Sequence, residues 1–252
     1  MVKRSFLAPS AANGESLAPT DGTSRTLTEQ TYSQLRDDII EGRLAPASKL
    51  RIEHLRTQYG VGAGTLREAL TRLVSDALVT AEGQRGFRVT PIAMEDLEDL
   101  TALRVQIETE ALRQSIRHGG DAWRRELRAS FEAISALEQP IAPEHRRQWE
   151  ALNVRFHVAL LAGQGSAWTF KVLRVLSRHG ERYRCYAIGL PGMARDVHSE
   201  HTEIFEMALA GREARAALAL EAHICATPHL LLQALRDGKL VLPGGAALPD
   251  GT

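Results

Sequence analysis

Leu50-Arg51-Ile52-Glu53-His54-Leu55-Arg56-Thr57-Gln58-Tyr59-Gly60-Val61-Gly62-Ala63-Gly64-Thr65-Leu66-Arg67-Glu68-Ala69-Leu70-Thr71-Arg72-Leu73 carries two short amphipathic patterns on either side of a Tyr59-Gly60 break. The first sets Ile52, Leu55 and Tyr59 on one face, and the second sets Leu66, Ala69, Leu70 and Leu73 on another. Three- and four-residue spacings of this kind belong to helices that bury a single stripe. Two such helices around a tight turn read as a helix-turn-helix, whose second helix can lie in a DNA major groove. A helical hairpin inside an ordinary core has the same periodicity, so the flanking sequence has to decide. The outward face of the second helix offers Thr65, Arg67 and Arg72 as candidate DNA contacts, and Arg51 stands just ahead of the first helix.

Downstream, Leu78-Val79-Thr80 and Phe87-Arg88-Val89-Thr90 alternate like strands around the turn Glu82-Gly83-Gln84-Arg85-Gly86, which reads as a hairpin and hence a wing. Arg85 at its tip, flanked by Gly86, is suited to a phosphate or minor-groove contact. Upstream, Thr26 and Glu29 have the spacing of a capping box, opening a helix with Tyr32, Leu35 and Ile39 on one face. Residues 26–90 therefore read as a winged helix.

The run Gly62-Ala63-Gly64-Thr65-Leu66-Arg67-Glu68-Ala69-Leu70, followed by the wing, resembles the recognition segment of GntR-family bacterial transcription regulators. The resemblance implies a double-stranded DNA operator as partner. In that family the recognition helix usually opens with Ser-Arg-Thr, whose Arg and Thr side chains help read the operator, whereas Gly62, Ala63 and Gly64 hold those places here. Thr65 and Arg67 remain as matched contacts, and Ala63 in place of an arginine implies a different operator. Arg67 is equally suited to a bidentate contact with guanine and to a phosphate clamp.

The 252 residues have a formal net charge of zero and near balance within residues 26–90, so attraction to DNA has to come from local placement of charge. With 44% apolar residues the chain can bury the cores of two domains. Cys185 and Cys225 lack metal-like spacing and read as buried thiols in a reducing compartment. No run is fit for a signal peptide or a membrane span, so the reading is a cytoplasmic protein with no membrane partner. Residues 1–25 and 237–252, rich in small residues, Gly and Pro, read as disordered tails.

Beyond a linker at 91–93, residues 94–236 read as an all-helical bundle for effector binding and dimerisation, which makes the whole chain mainly α. Helices are expected at 94–118, 121–139, 143–163, 166–188, 196–210 and 212–236, separated by Gly- and Pro-containing breaks. Asn153 and His157 lie four apart beside Trp149, Phe156 and Leu160, while His201 and His223 accompany apolar stripes on the last two helices. Three imidazoles on inward faces are candidate ligands of a divalent ion, with Zn or Ni suited to them. His198 competes with His201 for the inward place, and Glu200 is expected on a different helical face. Arg104 falls on the apolar stripe Leu97, Leu100, Ile107, Ala111 and needs a partner inside, either Glu108 one turn on or an acidic ligand. In Glu181-Arg182-Tyr183-Arg184, one of Arg182 and Arg184 is expected to face the bundle interior.

This second pattern resembles the effector-binding FCD domain of the FadR-like branch of the same family. That resemblance implies a metal held by an Asp four residues before a His and by two later histidines, matching His157, His201 and His223. Asn153 replaces the Asp, which leaves either a weaker metal site or a purely organic one. It further implies a small carboxylic acid effector near the metal, with Arg104, Arg182 and Arg184 as candidate partners, and a homodimer acting as a repressor. Val61 to Leu70, Glu181 to Arg184 and His223-Ile224-Cys225-Ala226-Thr227-Pro228 together resemble the glutarate-responsive, carbon-starvation type of repressor within that branch. Two alternatives stand beside this reading: a metal-dependent hydrolase using the histidines, for which no carboxylate base has a matching spacing, and a DNA-binding scaffold without a small-molecule effector.

Overall fold

The computed structural model describes residues 25–83, 86–138, 141–188 and 195–239. The first helix, α1 (Leu27–Ile40), begins with the expected reciprocal cap. The Glu29 N–H donates to the Thr26 hydroxyl at 3.2 Å and the Thr26 N–H to the Glu29 carboxylate at 3.0 Å, so two donors that a helix start leaves unpaired are satisfied. α2 (Ile52–Tyr59) stops at Gly60, whose φ of 65° is left-handed and closes the turn without the strain a side chain would bring. α3 (Ala63–Ser75) follows, burying Leu66, Ala69, Leu70 and Leu73 as its spacing requires. These residues meet Leu35, Ile39 and Leu55 in one core.

β2 (Val79–Ala81) and β3 (Phe87–Val89) form the hairpin, with Val79 opposite Val89. A further strand, β1 (Lys49–Leu50), pairs with the other edge of β3, setting Lys49 opposite Arg88. The antiparallel sheet thus runs β1-β3-β2. The sequence reading omits β1 because two residues are too few to show an alternation.

Among the described residues six α-helices follow: α4 (Met94–His118), α5 (Asp121–Ser135), α6 (Arg146–Leu161), α7 (Ala167–Ile188), α8 (Val197–Leu209) and α9 (Glu213–Arg236). Two helices differ by more than one residue from the sequence expectation. α5 stops at Ser135, before the expected 139, and the expected 143–163 helix is split. It begins with a 3-10 turn at Pro143–His145, continues as α6, and finishes in a second 3-10 turn at Ala162–Gln164. Phe156, Leu160, Ile204 and Leu220 anchor the helical core. A third cluster joins Ile92 and Met94, at the junction of the two units, to Leu97, Leu100, Tyr183 and Leu231. Among the described residues no helix is long and apolar enough to cross a membrane. Residues 1–24 and 240–252 and Gln84-Arg85 at the wing tip lie outside the described residues, whereas Asp237 to Lys239, read from sequence as part of a disordered tail, cap α9, with the Lys239 N–H donating to the Ala234 carbonyl at 2.8 Å.

Candidate functional site

On the winged helix, Arg67 is exposed on α3 and forms no ion pair among the described residues, while Thr65 beside it is half-buried. The first turn of α3 carries no side-chain cap at Gly62, so its backbone N–H groups face outward, where a phosphate can be received. Arg51 is exposed at the start of α2 and Gly86 takes φ 96° behind the wing tip. Arg72, also expected to face DNA, lies over the Tyr32 ring at 4.5 Å. That contact is a cation–π interaction with α1 and gives the side chain a structural partner. Arg85 lies outside the described residues.

Inside the bundle, α6, α8 and α9 bring His157, His201 and His223 together, with ring nitrogens within 4.8 Å of one another. Each position follows from its helix: Asn153 and His157 are one turn apart on the inward face of α6, and His201 and His223 sit where α8 packs on α9. The Nδ1 atom of His201 lies 2.7 Å from Glu138 Oε1, and that of His223 lies 2.8 Å from Glu200 Oε2. Carboxylates behind imidazoles fix the tautomer and turn Nε2 towards the centre. Burial holds His157 well below its usual range, helped by the charges of His223 and His201 and by Arg104 and Arg184. Burial and then His201, Arg195, Arg104 and Arg184 do the same for His223. Both rings therefore stay neutral at physiological pH, the form that ligates metals.

Asn153 Oδ1, His157 Nδ1 and His201 Nε2 are buried without a hydrogen-bond partner, and each such atom costs about 1–3 kcal/mol. A divalent ion would satisfy this donor set: neutral imidazoles and one amide oxygen, backed by carboxylates. Bound there, the ion would supply a fixed positive charge to which a carboxylate can attach.

The cluster opens onto a cavity lined by Thr101, Arg104, Asn153, His157, Gly180, Arg184, Arg195 and His223, with Leu97, Leu100 and Ile224 as its apolar wall. Gly180 is the close approach: a Cβ there would meet Arg104 Nη1 at 3.1 Å and Arg184 Nη1 at 3.2 Å. Two guanidiniums thus converge on one bare stretch of α7. Each cavity arginine is already paired. Arg104 Nε donates to Glu108 at 2.7 Å, Arg184 pairs with Glu150, and Arg195 Nε donates to Glu200 at 2.8 Å while its Nη2 reaches the His223 carbonyl at 2.8 Å.

The molecule is thus a winged helix joined to a helical bundle with a three-histidine centre. The profile described as "Bacterial regulatory proteins, gntR family" matches residues 27–89, and that of the FCD domain matches residues 99–226, more than half of the chain. The chain belongs to the GntR family. It is 43% identical to the HTH-type transcriptional regulator BphR of Paraburkholderia xenovorans (strain LB400) over 79% of this chain and 83% of that one. It is 32% identical to the HTH-type transcriptional repressor GlaR of Escherichia coli (strain K12), over 81% and 95%. Among solved structures, E. coli McbR/YncC superposes with a TM-score of 0.67 over 84% of this chain and all of its own, at 18% identity, a likeness of fold. GntR families and relatives are transcriptional regulators rather than enzymes, so the hydrolase alternative falls.

Within this GntR-family framework three sequence expectations need correction. Arg182 does not line the cavity: it is buried and its Nη2 donates to the Thr90 carbonyl at 2.7 Å, which leaves Arg184 as the inward member of the pair. Glu200 is not turned away from the cluster, and carboxylates are not lacking near the histidines: Glu200 and Glu138 stand directly behind two of them. Helical spacing alone places Glu200 off the His201 face, but its partner His223 comes from α9. Of the two histidines that competed for the inward place, His201 takes it and His198 stays out of the cluster, stacked near Phe131 with its Nδ1 at 3.4 Å from Glu138. Cys185 and Cys225 are free but only partly buried, the Cys185 thiol being pushed up to about 12 by burial. The sequence reading also passes over Arg195. It precedes α8 outside any periodic stretch, and the only available signal is a basic residue next to a Gly- and Pro-rich break.

Proposed function

We propose that this regulator is a repressor that binds a near-palindromic operator as a homodimer and is switched by a small carboxylic acid. The acid, a dicarboxylate such as glutarate, bridges a divalent ion (Zn or Ni) on Asn153, His157, His201 and His223 and the guanidiniums of Arg104, Arg184 and Arg195. The observation that carries this reading is the convergence of Arg104 and Arg184 over Gly180 in the same cavity as the histidine cluster. An arginine fork matches a carboxylate, and cationic groups at several points of one cavity suit a ligand with an acid at each end. The two-residue side of the match, Arg67 and Thr65, meets operator DNA, with Arg51 and the wing at Arg85 and Gly86 on its backbone. The cavity has a free volume of about 30 Å³, room for the centres of one or two waters. A five-carbon diacid therefore enters only as the arginines and their carboxylate partners give way, which makes binding and rearrangement one event.

The test pairs His157→Ala with His201→Ala. The variant should lose bound metal, read by elemental analysis of the purified chain, and lose its response to glutarate while still binding DNA. A response to glutarate that survives the loss of both rings would sink the metal-centred reading.

A further inference from the structure

α7 is shared between the effector cavity and the DNA-binding unit. Gly180, Tyr183 and Arg184 line the cavity, yet their immediate neighbours on the same helix reach the winged helix. Arg178 pairs with Asp76, the residue that ends α3, and His179 Nε2 lies 3.1 Å from the Asp76 carbonyl. Glu181 pairs with Arg36 of α1. Arg182 holds Thr90, and the Tyr183 hydroxyl donates at 3.0 Å to the Ala93 carbonyl on the linker. The linker and the residue before it are therefore pinned to the helix that lines the cavity.

An ion pair stands between the cavity and a cleft on its far side. Arg184 holds Glu150 of α6, and Glu150 lines, together with Glu181, Arg36, Asp37 and Arg147, a cleft of about 820 Å³ between α1 and the bundle. We propose that Arg184 is the trigger of the regulator: a carboxylate in the cavity draws its guanidinium from Glu150, and the freed Glu150, facing the same cleft as Arg36, competes with Glu181 for Arg36 and so loosens the contact that holds α1 against α7. This inference rests on reading the cavity as an effector site. Burial raises the Glu181 carboxyl, Arg36 lowers it, Glu150 raises it and Arg184 lowers it, so the four charges already act on one another across the wall. A helix moves as a rod, so a shift at Arg184 carries the Asp76 and Thr90 contacts with it.

The test is amide hydrogen exchange on the full chain. Without any ligand, Arg184→Gln should speed exchange about tenfold at residues 36–41 and 90–94, and adding Glu150→Gln should restore protection, because the unshielded carboxylate is then gone. Restoration is not expected from a variant that merely misfolds. Unchanged exchange in Arg184→Gln, or none recovered in the double variant, overturns the proposal. Glutarate with Zn²⁺ should produce the same increase in the wild-type chain, and its failure to do so while binding by calorimetry also overturns it. Failure of glutarate to bind at all overturns the effector reading alone, since the Arg184 comparison contains no ligand.

Discussion

Arg67 and Gly180 show how much one residue can decide. Arg67 stands exposed on α3 without an ion pair among the described residues, so its replacement should cost binding and nothing else. We expect Arg67→Ala to weaken operator binding by about 1–3 kcal/mol if it reads a base, or to lower the salt slope by about one if it clamps phosphate, with an unchanged thermal midpoint. Equal affinity for both proteins would remove Arg67 from the interface. Gly180→Ala should fold, since alanine favours a helix interior by up to ~1 kcal/mol over glycine, but its methyl would press on Arg104 and Arg184. Calorimetry should show weaker binding of glutarate with operator affinity kept, and undiminished glutarate binding would mean that the two guanidiniums do not hold the ligand. Single residues are legible in the sequence where a helix face sets direction, as for His157, His201 and His223, which the fold brings together. They are not legible where the partner comes from another element. Nothing in the spacing of Arg182 and Arg184 says that Thr90 waits beside one and Glu150 beside the other.

Among elements, α3 and α7 are joined through Asp76. Its carboxylate accepts from the Tyr32 hydroxyl at 2.5 Å and pairs with Arg178, and its carbonyl receives His179. Asp76→Ala leaves a guanidinium and a hydroxyl without their acceptor, a loss of about 2–3 kcal/mol, which urea denaturation would register as a lower midpoint. An unchanged midpoint would show that the two units are not braced there. His179 adds a pH dependence. Burial lowers its affinity for a proton in the folded chain despite the bond to Asp76. The unfolded chain therefore binds the proton more readily below about pH 6.5, and stability falls as the pH drops through that value, at up to about 1.4 kcal/mol per pH unit. His179→Gln should flatten this slope relative to the wild type, and identical slopes would assign the dependence to other groups. At this scale the long periodic helices were legible, α4 to its ends, because a face repeated over many turns leaves a strong pattern. β1 was not, since its two residues are held by β3 rather than by any propensity of their own.

In the whole molecule, two cores joined by the cluster of Ile92, Met94 and Tyr183 connect a DNA face to a buried polar cavity. The sequence suggests both ends of that connection, through the helix-turn-helix spacing and the inward histidines, but not the path between them, which depends on which faces of α7 meet which unit. Regulation requires that the effector bind one arrangement of the two units better than the other. Fluorescence anisotropy tests that requirement most directly, using a labelled DNA fragment from upstream of the protein's own gene, titrated at fixed salt with and without glutarate and related dicarboxylates. A ligand-gated repressor binds tightly in the absence of acid and is released by at least one dicarboxylate, with the apparent affinity falling about 5- to 150-fold. Tight binding that no acid alters would contradict it.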